Sequence, residues 1–208
     1  MRKLIAVAAV TVLALPLITT AQDGGVQASG WETRTDRGGD PNDVLSFMAM
    51  GDGVHAQTSG PGGAIFWEPT SMASGDYTIS ASFTQVEPSG HPNAYGLFFG
   101  GADLSDDAQR YSYFVIRQDG QFLIKKRMGS DTPDVVSWTA HDAVKQLDAN
   151  GSSTNVLSVE VGSSDVRFLV NGTEVSTQPR SAVDTDGITG LRVTHLLNVH
   201  IDELNLGN

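Results

Sequence analysis

Four stretches of the chain concentrate short carboxylates: DPND (40–43), DLSDD (103–107), DTPD (131–134) and DTDG (184–187). Calcium is a hard cation that takes several oxygen ligands from flexible loops. Asp40, Asp43, Asp184 and Asp186 are therefore the candidate ligands of a structural calcium ion, the one cofactor the composition suggests. Aspartate is equally the ordinary residue of Asx turns, and none of the four stretches has EF-hand spacing. Glycoside hydrolysis needs a different pattern, two carboxyls about 5 Å apart for retention or about 6.5–9.5 Å for inversion. Asp202 and Glu203 are adjacent, so a strand would point them to opposite faces. Glu160 has Ser158 as its same-face neighbour and finds no carboxylate partner there. Glu87, close to His91, and Asp202, on the same strand face as His200, remain as catalytic candidates, each without a visible second carboxylate. No Gly-x-Ser-x-Gly elbow accompanies the His200–Asp202 pair. His195 and His200 lack a placed third metal ligand. The chemistry leans away from an enzyme; if there is one, it is a glycoside hydrolase.

Sugar binding calls for aromatic platforms beside planar polar groups. The available rings are Trp31, Trp67, Trp138, Tyr95, Tyr111 and Tyr113. The stretch RYSYFVIRQDGQFLIKKRMG (110–129) is a hairpin with apolar residues on both faces. A two-residue turn at Asp119-Gly120 would place Gln118 opposite Gln121. One face then pairs Val115 with Ile124, Tyr113 with Lys126 and Tyr111 with Met128, and is expected to be core. The other pairs Ile116 with Leu123, Phe114 with Lys125 and Ser112 with Arg127, half apolar and half basic on an acidic chain. Phe114, Lys125 and Arg127, with Tyr95 and Trp138, are the expected ligand-contacting residues. Burial of Phe114 between two sheets would reverse that assignment.

The elements that must position these residues are almost all strands. GDYTISASFTQVEP puts Tyr77, Ile79, Ala81 and Phe83 on one face and polar residues on the other. AYGLFFGG (94–101), NVLSVEVG (155–162) and the final stretch 190–206 read as further strands, as do three short runs near DVLSFMAM, GVHAQTS and GGAIFWEP. DVRFLVNGTEV (165–175) carries an Asn171-Gly172 hairpin turn. Residues 139–151 could hold one or two helical turns. Many short strands and almost no helix predict an all-β, two-sheet antiparallel β-sandwich, with a closed barrel as the alternative. No fixed-period repeat is present.

The order of segments GDYTISASF, NAYGLFFGG, YSYFVIRQDGQFLIKKR, VLSVEVGSSDVRFLVNGTEV, GITGLRV and VHIDELNL resembles the concanavalin A-like lectin/glucanase superfamily. Within it the chain is most similar to laminin-G-like jelly-roll domains and to the 3-keto-disaccharide hydrolase family, FLVNGTEV (168–175) being the best single match. The resemblance implies a jelly roll whose concave sheet forms a solvent-facing groove, where sugars bind in this superfamily. Two departures bear on catalysis. The Glu-x-Asp-x-x-Glu run of laminarinase-type glucanases is absent, HIDEL (200–204) lacking its first glutamate. Gly100 and Gly101 stand where the hydrolase family is similar but carries an arginine.

The first 21 residues have the plan of a secretory signal peptide: Arg2-Lys3, an apolar run, then Thr19-Thr20-Ala21. A membrane anchor is the alternative. Residues 22–30 read as a flexible leader and 31–208 as one β-sandwich domain. Cleavage would leave 11 basic against 24 acidic side chains, net −13. That charge repels nucleic acid and anionic membranes. The expected protein is secreted, extracellular or periplasmic, with no nucleic-acid partner and no membrane attachment after cleavage. With no cysteine, its core alone must hold the fold. The expected function is non-catalytic carbohydrate binding on the concave sheet. The alternatives are a glycoside hydrolase of the 3-keto-disaccharide type and a structural or adhesive envelope domain. Two carboxylates in a pocket would favour the enzyme, an aromatic strip the binder, a bare Ser/Thr face the scaffold.

Overall fold

The computed structural model describes residues 24–202 and 204–207. The proposed signal peptide and Glu203 lie outside them.

Sixteen strands and two short helical pieces follow one another: β1 (Gly25–Val26), β2 (Glu32–Thr35), α1 (Pro41–Val44), β3 (Leu45–Met50), β4 (Gly53–Thr58), β5 (Gly63–Ala73), β6 (Tyr77–Gln85), β7 (Ala94–Ala102), β8 (Arg110–Arg117), β9 (Gln121–Met128), β10 (Asp134–Ala140), β11 (Ser153–Val161), β12 (Asp165–Val170), β13 (Thr173–Pro179), a 3-10 turn (Arg180–Ala182), β14 (Gly187–Thr194), β15 (Asn198–Ile201) and β16 (Asn205–Gly207). They form two sheets. The nine-stranded sheet runs β1-β3-β4-β15-β6-β11-β12-β13, with β16 also on β6. The seven-stranded sheet runs β10-β9-β8-β7-β14-β5-β2. All pairings are antiparallel except β1 with β3.

The alternating pattern of β6 does what its periodicity demands. Tyr77, Ile79, Ala81 and Phe83 are buried, and β6 pairs along its whole length with β11, placing Leu157 and Val159 beside Ala81 and Ile79. On the outer face of that ladder stand Thr78, Ser80, Ser82 and Thr84, with Thr154, Ser158 and Glu160. Val156, 40% exposed opposite Ser82, interrupts this Ser/Thr-rich face. β7 behaves differently, since eight of its nine residues are buried. Tyr95, Leu97 and Phe99 enter the core between the sheets, whereas Ala94 and Phe98 belong to a second apolar cluster. That cluster, with Ile65, Trp67, Tyr111, Tyr113, Val115 and Leu123, lies on the outer face of the seven-stranded sheet.

Several expectations change. The 110–129 hairpin closes through a three-residue loop, with Arg117 opposite Gln121. Gly120 adopts φ 83°, a left-handed conformation open to glycine, and its N–H donates to the Arg117 carbonyl. The extra loop residue slips β9 by one, so Tyr113 meets Lys125 and Phe114 meets Ile124. Residues 25–28, read as leader, contribute β1 and a buried Ala28. The stretch 139–151 forms the end of β10 and turns rather than helix. The Asn171-Gly172 turn is as expected, both residues at positive φ.

Candidate ligand-binding site

Strand parity decides which side chains reach the outer face of the seven-stranded sheet. On β8 and β9 these are Tyr111, Tyr113, Val115 and Arg117 with Leu123, Lys125 and Arg127. β14 contributes Arg192 and β2 contributes Arg34.

The face is concave. β9 and β2 are separated by four intervening strands, which in a flat sheet means about 24 Å at about 4.8 Å per step. Yet Arg127 Nη1 of β9 lies 4.0 Å from Oδ1 of Asp36, the residue that follows β2. Arg34 likewise spans to the β7–β8 connection, donating to the Ser105 carbonyl at 2.9 Å and to Asp107 Oδ1 at 2.7 Å. The sheet must curl for these groups to meet, and the apolar layer of Trp67, Phe98, Tyr111 and Tyr113 is thereby covered.

Arg192 is the keystone of this curl. Its Nη2 and Nη1 donate to the two oxygens of Asp36 at 2.7 and 3.0 Å, a fork against a carboxylate. Nη1 also donates to the Tyr111 hydroxyl at 3.1 Å, and the guanidinium carbon lies 4.7 Å from the centre of the Tyr113 ring. Burial pushes the Asp36 carboxyl up, but the charge and hydrogen bonds of Arg192, the Gly63 N–H and Arg127 outweigh it. The group titrates below its ordinary value. Burial likewise opposes the Arg192 charge, while Tyr111, Asp36 and Tyr113 more than restore it. Tyr111 and Tyr113 are pushed up, chiefly by burial, and stay neutral hydrogen-bonding groups.

Over this layer opens a cleft of about 450 Å³, lined by Arg34, Asp36, Arg37, Asp107, Gln109 and Arg127 with Gly129 and Ser130. At the other end of the same face Trp138, 37% exposed, is covered by Arg117 at 4.3 Å from its ring centre. The face thus offers hydrogen-bonding forks at one end and an aromatic plane at the other.

Of the five expected ligand-contacting residues, Lys125, Arg127 and Trp138 stand on this face. Lys125 Nζ is 3.0 Å from Asp134. Phe114 does not: it is fully buried between the sheets, its ring 5.3 Å from Phe168 of β12. Tyr95 is also core, 5.6 Å from Phe83. Both corrections have one cause: β7 and β8 turn Tyr95, Phe114 and Ile116 toward the core between the sheets, the reverse of the expected choice of face.

The expected calcium ligands are dispersed and otherwise engaged. Asp40 caps α1 by accepting from the Asn42 N–H, and Asp43 is an exposed residue of its first turn. Asp184 pairs with Lys126 at 3.2 Å and Asp186 with Arg180 at 3.0 Å. Among the described residues no group of three or more His, Asp or Glu side chains is arranged to hold a metal. His195 faces His91, Nε2 to Nε2 at 3.2 Å, while His200 lies beside His55 and Asp202, so the two histidines have different partners.

Glu87 accepts from Asn198 and stands outside the clefts described here. Asp202 lines a cleft of about 370 Å³ between the sheets, with Trp31, Asp52, Glu68 and Leu191. A broader opening of about 600 Å³ lies by Asp76, Glu160 and Arg167, but Arg167 is already paired with Glu160 and Glu174. Sequence reasoning missed Asp36, Arg34 and Arg192. Only Arg192 left a local signal, as a charge inside the apolar run GLRV.

Neither a family model nor a curated protein matches the chain. Solved structures do. A carbohydrate-binding module, CBM66, from Bacillus subtilis superposes with a TM-score of 0.63 at 12% identity, covering 89% of this chain and 99% of the module. A Bacillus subtilis protein of unknown function with a galectin-like fold gives 0.59 at 13%, over 85% and 88% of the two chains. A Bacteroides ovatus mixed-linkage-glucan GH16 protein gives 0.59 at 12%, over 88% and 98%. The chain shares the two-sheet, jelly-roll β-sandwich fold of these proteins.

Proposed function

We propose that this protein is a secreted, non-catalytic carbohydrate-binding domain that seats a saccharide in the cleft lined by Arg34, Asp36, Asp107 and Arg127. One observation carries the reading: the curled seven-stranded sheet gathers Arg34, Asp36, Asp107 and Arg127, from elements far apart in sequence, over a rigid tyrosine layer. Fixed forks suit vicinal hydroxyls, and preorganised groups lose little freedom on binding. Trp138, partly exposed with Arg117 over its ring, adds an aromatic group at the other end of the same face. The structural neighbour described as a carbohydrate-binding module supports the ligand class. The plan of residues 1–21 supports export.

A glycan array with the protein, with and without chelator, tests the reading. Binding to at least one polysaccharide, weakened by Arg127→Gln, is expected; silence across the array would sink it. The Asp202 cleft carries a second reading, since Asp52, Glu68 and Asp202 share it with Trp31. Hydrolysis of a glycoside that disappears in Glu68→Gln and Asp202→Asn, but survives Arg127→Gln, would place a glycosidase there instead.

A further inference from the structure

The charge balance of the cleft is opposite to that of the chain. The sequence as a whole is strongly acidic, 24 acids against 13 bases. The cleft brings three arginines, Arg34, Arg37 and Arg127, against two carboxylates, Asp36 and Asp107. Both carboxylates are committed. Asp107 holds Arg34 at 2.7 Å, and Asp36 holds the buried Arg192 behind the cleft through two bonds. Arg127 is left with a contact to Asp36 of only 4.0 Å and a bond from Nε to the Gly129 carbonyl. Arg37 is exposed and has no ion-pair partner among the described residues. Nearby Lys125 and Arg110 are answered by Asp134 and Asp103, so they neither add to nor cancel the surplus.

One guanidinium without an ion-pair partner, Arg37, and one only weakly answered, Arg127, at the mouth of a cleft are an unusual provision on such a chain. A neutral sugar would answer them through hydroxyls alone, in competition with water and with no opposite charge. An anionic group would be met by charge-assisted, fork-shaped hydrogen bonds, the contact arginine makes best. We propose that the saccharide taken here is acidic, its carboxylate or sulfate held by Arg127 and Arg37. The inference rests on the carbohydrate reading and names the class of sugar.

The test compares polygalacturonate with its carboxyl-reduced, neutral counterpart, and dextran sulfate with dextran, by affinity electrophoresis at low and high salt. The charged member of at least one pair binds more tightly by about tenfold or more, and added salt erodes the difference. Which pair shows the preference separates carboxylate from sulfate. Arg37→Gln with Arg127→Gln brings the charged polymer down to the affinity of its neutral counterpart, and Arg37→Gln alone, at an exposed residue, narrows the preference at an unchanged melting temperature. Arg167→Gln, on the opposite sheet, leaves it intact. Equal affinity for charged and neutral polymers overturns the proposal but leaves the carbohydrate reading standing. So does inorganic polyphosphate binding as tightly as the acidic sugars, or an equal loss in Arg167→Gln. No binding to any polysaccharide overturns both.

Discussion

Asp36 and Arg192 lie 156 positions apart in the chain and close a two-bond fork, with separations of 2.7 and 3.0 Å. Asp36 follows the edge strand β2, whereas Arg192 sits on the central strand β14. The pair therefore holds the curled edge of the sheet over its own face.

Removing one partner leaves the other buried and unpaired. Asp36→Ala is expected to destabilise the fold by about 3–5 kcal/mol, because Arg192 keeps its charge with no counter-charge. Replacing both, Asp36→Ala with Arg192→Met, should cost less than the sum of the single changes. Urea unfolding of the four proteins measures the coupling, and strict additivity would contradict it.

The pair also sets an acid limit. The folded Asp36 carboxyl titrates below its ordinary value, so its stabilisation is fully present above the unfolded pKa of about 3.9 and is lost as pH falls through the folded one. Asp36→Asn should be less stable than the parent at neutral pH, with the gap narrowing as the pH drops below about 4. A gap that stays constant to about pH 2.5 would show that this carboxylate does not carry the linkage.

Phe114 and Trp138 should separate stability from binding. Phe114→Ala removes a fully buried ring from between the sheets and is expected to cost about 3–5 kcal/mol. Trp138, partly exposed on the edge strand β10, should cost no more than about 1 kcal/mol as alanine while weakening saccharide binding. Thermal melts and the glycan assay on both variants decide the matter.

Asn171 does two jobs at its turn. It occupies φ 52°, and its side chain donates to the Ala143 carbonyl and Asn155 Oδ1 while accepting from the Val156 N–H. Asn171→Gly keeps the conformation and loses only the side-chain bonds. Asn171→Ala adds left-handed strain of about 1–2 kcal/mol, so the expected order of stability is Asn, then Gly, then Ala. Equal melting temperatures for Gly and Ala would refute the strain term.

Much of this architecture is legible in the residues themselves. The alternation of Tyr77, Ile79, Ala81 and Phe83, and the Asn171-Gly172 dipeptide, are local signals with local causes, and both elements form where the signals stand. The 110–129 hairpin marks the boundary of that kind of reasoning. Its two strands are plain, but a loop of two residues or three was not distinguishable from QDGQ alone. One residue of register changes which face of β8 goes with which face of β9, so the side that carries Lys125 also carries Tyr113, and Phe114 joins Ile124 in the core. Lys125, Arg127 and Trp138 reached the outer face nonetheless, because a basic, aromatic edge beside a buried strand must meet water somewhere.

The chain by itself determined an all-β sandwich, its strands and its hairpin turns, since side-chain period and turn chemistry act over a few residues. Only the tertiary structure decided where the cleft lies and what lines it. Asp36, Arg34, Asp107, Arg127 and Arg192 share no window of sequence, and no periodicity links them. They meet because the seven-stranded sheet curls until its far strands face each other. The curl is a property of the whole packed sheet.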